Sequence, residues 1–255
     1  MFSSIKTLLI HRGQVIEDIY AVTLPDTFKG MPLISNRACL KDCINCVDIC
    51  PAMAIKKIGD SIKLNIGRCI FCGACEDVCT EGKINFSNEH DMATNDRNYL
   101  EIGNDSEGSM PFNYDIIRSD IKRCFRRSLK LRQVSAGGCN ACEMELNACG
   151  NVNFDIGRFG IEFVASPRHA DGLVITGPIT ENMSRALELC YEATPKPKLI
   201  ILNGACAISG GIFRESPATK RSFLSRYGAD LYIPGCPPHP LTFIKGVLKL
   251  MGRKN

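Results

Sequence analysis

The chain has 255 residues, a formal net charge of +4 and 45% hydrophobic residues, which suggests one large or two smaller domains with a packed core. The small positive charge gives no indication of nucleic-acid binding. No stretch reaches the roughly 18 apolar residues of a membrane span, and the N-terminal residues do not read as a secretory signal. We therefore expect reduced thiols, and the 15 cysteines are far more than packing requires.

Residues 1–35 precede the cysteine-rich part of the chain. Ser4 to Ile19 carries apolar residues at helical intervals interrupted by Gly13, and an extended segment punctuated by proline and glycine follows as far as Pro32. The plain interpretation is a leader that packs on the core, and the alternative is a docking arm for a partner subunit.

Residues 36–86 contain two copies of one cysteine pattern. The second copy, from Cys69 to Cys79, has the spacing C-x2-C-x2-C-x3-C of a bacterial-type ferredoxin. Shifted back by 29 positions, its last three cysteines fall on the last three of the earlier run, and Cys39 stands one residue too early. Thr80 stands where such a run usually carries proline.

In paired runs, three thiolates of each run hold one [4Fe–4S] cluster and the fourth crosses to the other cluster. The expected ligand sets are Cys39, Cys43, Cys46 and Cys79, and Cys50, Cys69, Cys72 and Cys75. Zinc prefers two separated cysteine pairs around one ion, and disulfides need an oxidising compartment, so both alternatives fit less well. Residues 1–86 are thus expected to form an N-terminal arm and a small α+β bacterial-type 2[4Fe–4S] ferredoxin domain, with a hairpin turning at Gly59-Asp60.

Residues 87–112 are rich in Asn, Asp, Glu, Ser and Gly, a composition typical of a polar linker, and they mark the expected domain boundary. Residues 113–131 combine spaced apolar side chains with many Arg and Lys. We expect a basic amphipathic helix whose cationic side is either solvated or bound to an anionic membrane surface or acidic partner. Cys124 has no cysteine neighbour and is expected to be a plain thiol.

From residue 131, short apolar strands alternate with helices. Strands are expected over 131–135, 160–165, 172–176, 198–203 and 231–233, and helices over 181–193 and 240–251. This alternation predicts an α/β flavodoxin-like parallel sheet with both faces covered, over residues 113–255.

Four cysteines of this region come just after predicted strands. Ligands of parallel sheets bind at the carboxyl ends of the strands, and glycine- and proline-rich loops let backbone approach a cluster closely. We expect a third [4Fe–4S] cluster, with zinc as the alternative. Its expected ligands are Cys139, Cys142, Cys206 and Cys236. Cys149 and Cys190 lack metal spacing and are expected to be structural thiols.

Four motifs of this region carry a family resemblance. They are Gly138-Cys-Asn-Ala-Cys-Glu143, Ser166-Pro-Arg-His-Ala-Asp171, Gly204-Ala-Cys206 with Ser209-Gly-Gly-Ile-Phe213, and Ile233-Pro-Gly-Cys-Pro-Pro238. With them, residues 133–251 resemble the small subunit of membrane-bound [NiFe] hydrogenases of the energy-converting and formate hydrogenlyase type, and the related 20 kDa subunit of respiratory complex I. Residues 1–100 resemble the two-cluster ferredoxin subunit of the same complexes, so the chain looks like a fusion of two subunits.

One detail separates the two branches. Complex I subunits tend to carry adjacent cysteines at the first motif, whereas hydrogenase small subunits carry C-x-x-C followed by Glu, as this chain does at Cys139, Cys142 and Glu143. The resemblance implies that Glu143 lies near the nickel site of a separate large subunit and moves protons. The alternative is a hydrogen-bond acceptor beside the cluster. For Arg168 and His169 it implies a role at the subunit interface, with a structural salt bridge or hydrogen bond as the alternative.

The resemblance implies an oxidoreductase subunit that relays electrons between a [NiFe] site and a low-potential donor or acceptor through three [4Fe–4S] clusters. The implied partners are the [NiFe] large subunit, membrane subunits of the same complex, and a soluble ferredoxin or a formate dehydrogenase subunit, without nucleic acid. The implied location is peripheral, on the cytoplasmic inner face of the cell membrane. The alternatives are a complex I-like quinone-linked role, a sulfur-linked relative without nickel, and a non-catalytic iron–sulfur carrier or assembly scaffold.

Overall fold

The computed structural model describes residues 5–6, 15–104 and 108–253. Most of the helix expected from Ser4 to Ile19 lies outside these residues, and residues 15–19 are not helical. Ile19 itself is buried and packs with the core of the C-terminal part, as expected for a leader that covers the core.

The cysteine-rich part consists of short strands and one-turn helices. Its helices are α1 (Asn45–Asp48) and α2 (Ala74–Asp77), and its strands are β1 (Pro32–Ile34), β2 (Ile55–Ile58), β3 (Ser61–Asn65), β4 (Ile84–Phe86) and β5 (Glu101–Ile102). β1 pairs antiparallel with β4, and β3 pairs antiparallel with both β2 and β5. The predicted hairpin is confirmed, and Gly59 takes the positive φ of +59° that its turn requires.

The duplication in the sequence is repeated in the backbone. α2 and the start of β4 follow α1 and the start of β2 by 29 residues. In each half, a backbone amide donates a hydrogen bond to the sulfur four residues earlier, from Ala54 to Cys50 and from Lys83 to Cys79, each with an N···S distance of 3.3 Å. The two halves are therefore built on the same local plan.

The C-terminal part is organised around a parallel sheet. Its strands are β6 (Leu129–Ser135), β7 (Ile161–Phe163), β8 (Gly172–Thr176), β9 (Leu199–Asn203) and β10 (Leu231–Ile233). They lie in the order β10-β9-β8-β6-β7, and every neighbouring pair is parallel. Numbered within the sheet, this is the flavodoxin-like order 2-1-3-4-5. The predicted α/β parallel sheet is confirmed.

Helices cover both faces of this sheet. They are α3 (Ser119–Cys124), α4 (Ala141–Ala148), α5 (Glu181–Ala193), α6 (Ala205–Ser209), α7 (Ser222–Tyr227) and α8 (Pro240–Leu250). Val174 and Ile201 share one core cluster with α8, whereas Ile175 and Leu202 share the other with α5, α7 and the cysteine-rich part. The cysteine-rich part and one face of the sheet thus have a continuous core.

The basic helix expected over 113–131 is much shorter, so that prediction is wrong in its extent. Only α3 is helical, and β6 begins at Leu129. Leu129 and Leu131 are buried on either side of exposed Lys130, because β6 pairs with β7 and β8. The regular burial from Ile117 to Leu129 therefore combines a short helix with the start of a strand.

The described residues of the expected polar linker, 87–104 and 108–112, contact both parts of the molecule. Thr94 forms an antiparallel bridge with Tyr232 of β10, and β5 pairs with β3. Asn95 accepts a hydrogen bond from Asn113 N–H at 2.9 Å and donates one to Asn113 O at 2.6 Å. The polar side chains of Thr94 and Asn95 are thus hydrogen-bonded inside the protein. The domain boundary stays a prediction.

Candidate metal centres

The eight cysteines of the two runs surround two separate cavities. Cavity A is lined by Cys39, Cys43, Cys46 and Cys79, and also by Thr80, Glu81 and Lys83. Cavity B is lined by Cys50, Cys69, Cys72 and Cys75, and also by Ala54. These are the two sets that the crossing pattern of paired runs predicts. Sets of four thiols around an enclosed space suit a cubane, and ligation itself stays a prediction.

Tight turns and backbone amides surround the sulfur atoms. Phe71 and Gly73, on either side of Cys72, both have positive φ, +57° and +81°, so the chain curves around cavity B. Phe71 N–H donates a hydrogen bond to Cys69 Sγ, with an N···S distance of 3.3 Å. Such N–H donors stabilise thiolates and are one means by which a protein adjusts the reduction potential of a bound cluster.

Burial controls the protonation of the thiols in cavity B. It raises the pKa of Cys69 and that of Cys75 to about 12. Both groups are therefore protonated thiols at neutral pH when no metal is bound. Because iron binds the thiolate form, binding of a cluster in this cavity would release their protons.

The third cysteine set lies at the carboxyl end of the parallel sheet. Cys139 and Cys142 follow β6, Cys206 is in α6 directly after β9, and Cys236 follows β10. Burial, and to a smaller extent the neighbouring Glu143 and the other three cysteines, raise the pKa of the Cys142 thiol to about 12. The structure therefore brings these four cysteines together.

Glycines let the backbone approach these sulfur atoms, as the loop composition predicts. Gly204 has φ +93°, and a Cβ at this position would lie 2.7 Å from Cys142 Sγ. A Cβ at Gly211 would lie 3.0 Å from Cys206 Sγ. A side chain at Gly204 would therefore displace a proposed ligand.

Glu143 lies at the point where the strand order reverses, between β6 and β8. Its side chain is only 7% exposed, and its Oε1 accepts a hydrogen bond from Thr176 Oγ1 at 2.6 Å. Thr176 is the last residue of β8, so Glu143 joins the helix after one central strand to the end of the next. The hydrogen bond is observed, and both the role as an acceptor beside a cluster and the proton-transfer role stay predictions.

Arg221 supports the third set and was missed in the sequence. Its guanidinium donates hydrogen bonds to the backbone oxygens of Cys206 at 3.0 Å, Ala207 at 2.7 Å and Pro178 at 2.9 Å. Burial lowers its pKa to about 10, so it is still charged at neutral pH. A single arginine in a polar stretch gives no sequence signal, because its role depends on contacts with distant residues.

The remaining candidates lie outside the three sets. Arg168 and His169 are exposed in a short turn after β7. Cys149 is fully buried, as expected for a structural thiol, whereas Cys190 is half-buried and Cys124 is exposed. Among residues 5–6, 15–104 and 108–253, no three Cys, His, Asp or Glu side chains are placed to hold a single metal ion. A cubane differs from a single ion, because its thiolates bind different iron atoms.

Residues 139–250 match the family described as NADH ubiquinone oxidoreductase, 20 Kd subunit. The probable membrane-bound hydrogenase subunit mbhJ of Pyrococcus furiosus is 42% identical over 122 residues, which cover 48% of this chain and 73% of that protein. The chain belongs to this family. Formate hydrogenlyase subunit 7 of Escherichia coli is 38% identical over 136 residues, 53% of each chain. An NADH-quinone oxidoreductase subunit of Citrifermentans bemidjiense is 40% identical over 116 residues, 46% of this chain and 68% of that protein.

A solved structure is also similar. The membrane-bound sulfane sulfur reductase, described as an archaeal respiratory membrane complex, contains a chain that is 31% identical. The alignment has a TM-score of 0.44 and covers 50% of this chain and 70% of that chain.

Family membership confirms the resemblance of the parallel-sheet domain and makes the chain an oxidoreductase subunit. The family match begins at residue 139, so the ferredoxin-like assignment of the cysteine-rich part rests on its cysteine pattern and on cavities A and B. Within the described part of the chain, no helix combines the length and apolar character needed to cross a membrane.

Proposed function

We propose that this chain is the electron-transfer subunit of a membrane-associated [NiFe] hydrogenase of the energy-converting or formate hydrogenlyase type. It would relay electrons through three [4Fe–4S] clusters between the nickel site of a large subunit and a low-potential donor or acceptor. The observation that carries this proposal is the grouping of twelve cysteines into three sets of four, two around cavities A and B and one at the carboxyl end of the parallel sheet. The clusters would supply one-electron transfer, which no amino-acid side chain here provides.

The packing between the two parts supports an order for the relay. Gly67, two residues before Cys69, lies so close to α6 that a Cβ there would be 2.8 Å from Ile208 Cγ2. Ile208 is two residues after Cys206. The loop that carries a ligand of cavity B thus packs directly against the helix that carries a ligand of the third set. We therefore put cavity B between cavity A and the third set.

The residues around each set would bind the clusters and limit contact with water. Cys69 and Cys75 are buried, and amide N–H groups point at Cys50, Cys69 and Cys79. Burial and N–H donors act on the potential in opposite directions, because burial disfavours the added negative charge and N–H donors favour it. Glu143 would accept or release a proton at its carboxylate next to the third set.

The proposed partners are those that the family resemblance implies. A [NiFe]-type large subunit would cover the third set, and membrane subunits would hold the chain at the cytoplasmic face of the cell membrane as a peripheral component. A soluble ferredoxin or a formate dehydrogenase subunit would exchange electrons at cavity A, in either direction.

The decisive experiment is purification of the native complex without oxygen through a tag on this chain. We expect nickel stoichiometric with the chain, about twelve iron atoms per chain from three cubanes, and hydrogen-dependent reduction of a viologen dye. Iron at this level without nickel or hydrogen activity would refute the hydrogenase assignment and keep the three-cluster relay.

The second candidate function is a quinone-linked role like that of complex I. It is favoured by the 40% identity with the NADH-quinone oxidoreductase relative. The separation of Cys139 and Cys142 by two residues favours the hydrogenase type instead. In the same purified complex, quinone reduction without nickel would identify this second function.

A further inference from the structure

Lys83 carries an ammonium group inside the protein. Its side chain is 1% exposed, and Nζ donates hydrogen bonds to the backbone oxygens of Ser35, at 3.1 Å, and Arg37. Both acceptors are neutral. Across the described ranges, the carboxylates that form ion pairs do so with other cations, and none pairs with Lys83. A buried cation without a counter-ion is strongly unfavourable, so this arrangement needs a negative charge nearby.

The position of Lys83 points to the source of that charge. Lys83 lines cavity A, and its backbone N–H donates to Cys79 Sγ with an N···S distance of 3.3 Å. The pairing of β1 with β4 fixes this position, since Ser35 N–H donates to Lys83 O at 2.9 Å. A cubane held by four thiolates is an anion, and reduction adds one further negative charge.

Cavity B lacks such a cation. The residue 29 positions before Lys83 is Ala54, which has the same amide-to-sulfur bond and lines cavity B. The lining of cavity B contains cysteines, glycine and apolar residues without a charged side chain. Lys29 and Glu76 lie nearby as an ion pair with a 2.8 Å Nζ···Oε2 distance, and together they are neutral. The two cavities therefore match in backbone and differ in charge, because cavity A is lined by the buried Lys83 and the exposed Glu81 and cavity B by neither.

We propose that Lys83 is the counter-ion of a cubane in cavity A and makes this cubane the electron-holding member of the pair. The proposal rests on the proposed function, because both cavities must be loaded. With both cavities loaded, one electron would pass from a cubane held by the cysteines of cavity B, which would be oxidised, to one held by the cysteines of cavity A, which would be reduced. No bond forms or breaks, and no proton moves. Lys83 would favour the electron in cavity A because its buried positive charge attracts the added negative charge.

The test is a potentiometric titration of the purified complex, followed by electron paramagnetic resonance, for the wild type and Lys83→Met. In the wild type we expect the two ferredoxin-type clusters to have different midpoint potentials. Lys83→Met should lower the midpoint potential of the higher couple by about 59 mV, which is a tenfold change in the equilibrium constant of its one-electron reduction. The midpoint potential of the lower couple should stay nearly unchanged. Lys41→Met is the matched control, since Lys41 lies between Cys39 and Cys43 but is exposed, and water screens its charge.

Two further variants separate charge from shape. Lys83→Gln retains a hydrogen-bond donor without the charge and should lower the higher couple as Lys83→Met does, whereas Lys83→Arg should keep the wild-type potentials. The proposal would be overturned if both neutral variants kept the wild-type midpoint potentials. It would also be overturned if Lys83→Arg shifted the potential of the higher couple as much as the neutral variants do. Loss of iron from the neutral variants alone would support the counter-ion role, and loss from Lys83→Arg as well would overturn it.

The same titration distinguishes a failure of the proposed function from a failure of the role of Lys83. A wild-type complex without two ferredoxin-type signals would refute the proposed function together with the role of Lys83. Two signals whose potentials do not respond to Lys83 would refute the role of Lys83 alone.

Discussion

The two parts of this protein gather cysteines in different ways. In the cysteine-rich part, both sets come from residues 39–79, and Cys75 is the one buried residue of the two one-turn helices. In the parallel-sheet domain, the third set is spread over residues 139–236 and meets because three strands end at one edge. The strands β8 and β9 are buried along their whole length. We expect folding of the first arrangement to depend on bound metal, whereas the second rests on the buried core of the sheet.

Removal of iron should reveal the largest difference between the two parts. Iron chelation under reducing conditions should lower amide hydrogen-exchange protection in β2 and β3 by roughly 100-fold or more, because thiols facing cavities A and B then lack their common ligand. Protection in β8 and β9 should fall much less. Hydrogen exchange with mass spectrometry on the full chain measures both regions at once. Equal loss in both would show that the two parts depend on metal to the same extent.

Loss of one cysteine of the third set should stop electron transfer through the parallel-sheet domain and leave the clusters of the cysteine-rich part in place. Cys206→Ser should lower hydrogen turnover by roughly 100-fold or more, because a relay in series fails at its missing member. Both ferredoxin-type signals should remain in the electron paramagnetic resonance spectrum. Cys190→Ser, which changes a half-buried thiol on α5 outside the three sets, is the control and should retain turnover. Unchanged turnover in Cys206→Ser would contradict the proposed wiring.

The sequence predicts both cysteine arrangements, for different reasons. Repetition with an offset of 29 residues predicts the sets around cavities A and B, since the helix and strand of each half repeat at this offset. For the third set, the rule that ligands lie at the carboxyl ends of parallel strands is sufficient. β8, β10 and α5 have the predicted bounds.

The features that the sequence did not predict depend on distant contacts. The basic segment stops being helical before Leu129, because β6 finds partners in β7 and β8. Residues 87–112 have the composition of a linker, and the bridge between Thr94 and Tyr232 is not visible in that composition. The role of Arg221 is recognised only from its hydrogen bonds to α6. Short periodic patterns carry no information on such partners.

Substitution of Glu143, in the parallel-sheet domain, should lower hydrogen turnover less than loss of a cysteine does. Glu143→Gln keeps the side-chain shape and an acceptor for Thr176, but it cannot carry a proton. If Glu143 transfers protons, hydrogen turnover should fall by about tenfold to a hundredfold with the third cluster intact. Thr176→Val removes the 2.6 Å hydrogen bond and keeps the carboxylate, so turnover should fall less. A larger loss in Thr176→Val would favour the hydrogen-bond acceptor role.

The smallest change tests how closely the sheet domain fits its third cluster. Gly204→Ala would put a Cβ 2.7 Å from Cys142 Sγ at a residue with φ +93°. We expect a loss of about 1–3 kcal/mol in the free energy of unfolding from backbone strain, and a lower iron content because Cys142 must move. Thermal unfolding and iron analysis of the purified complex measure the two effects.

Gly228→Ala is the matched control for that substitution. Gly228 also has a positive φ, +68°, but a Cβ there meets nothing within 4 Å. It should therefore lose stability through strain and keep the third cluster. If both variants keep the cluster, the close approach of Gly204 is not needed to seat Cys142, and the third set tolerates displacement. If Gly204→Ala alone loses it, the sheet domain holds its cluster by close backbone placement, in contrast to the metal-dependent folding that we expect of the cysteine-rich part.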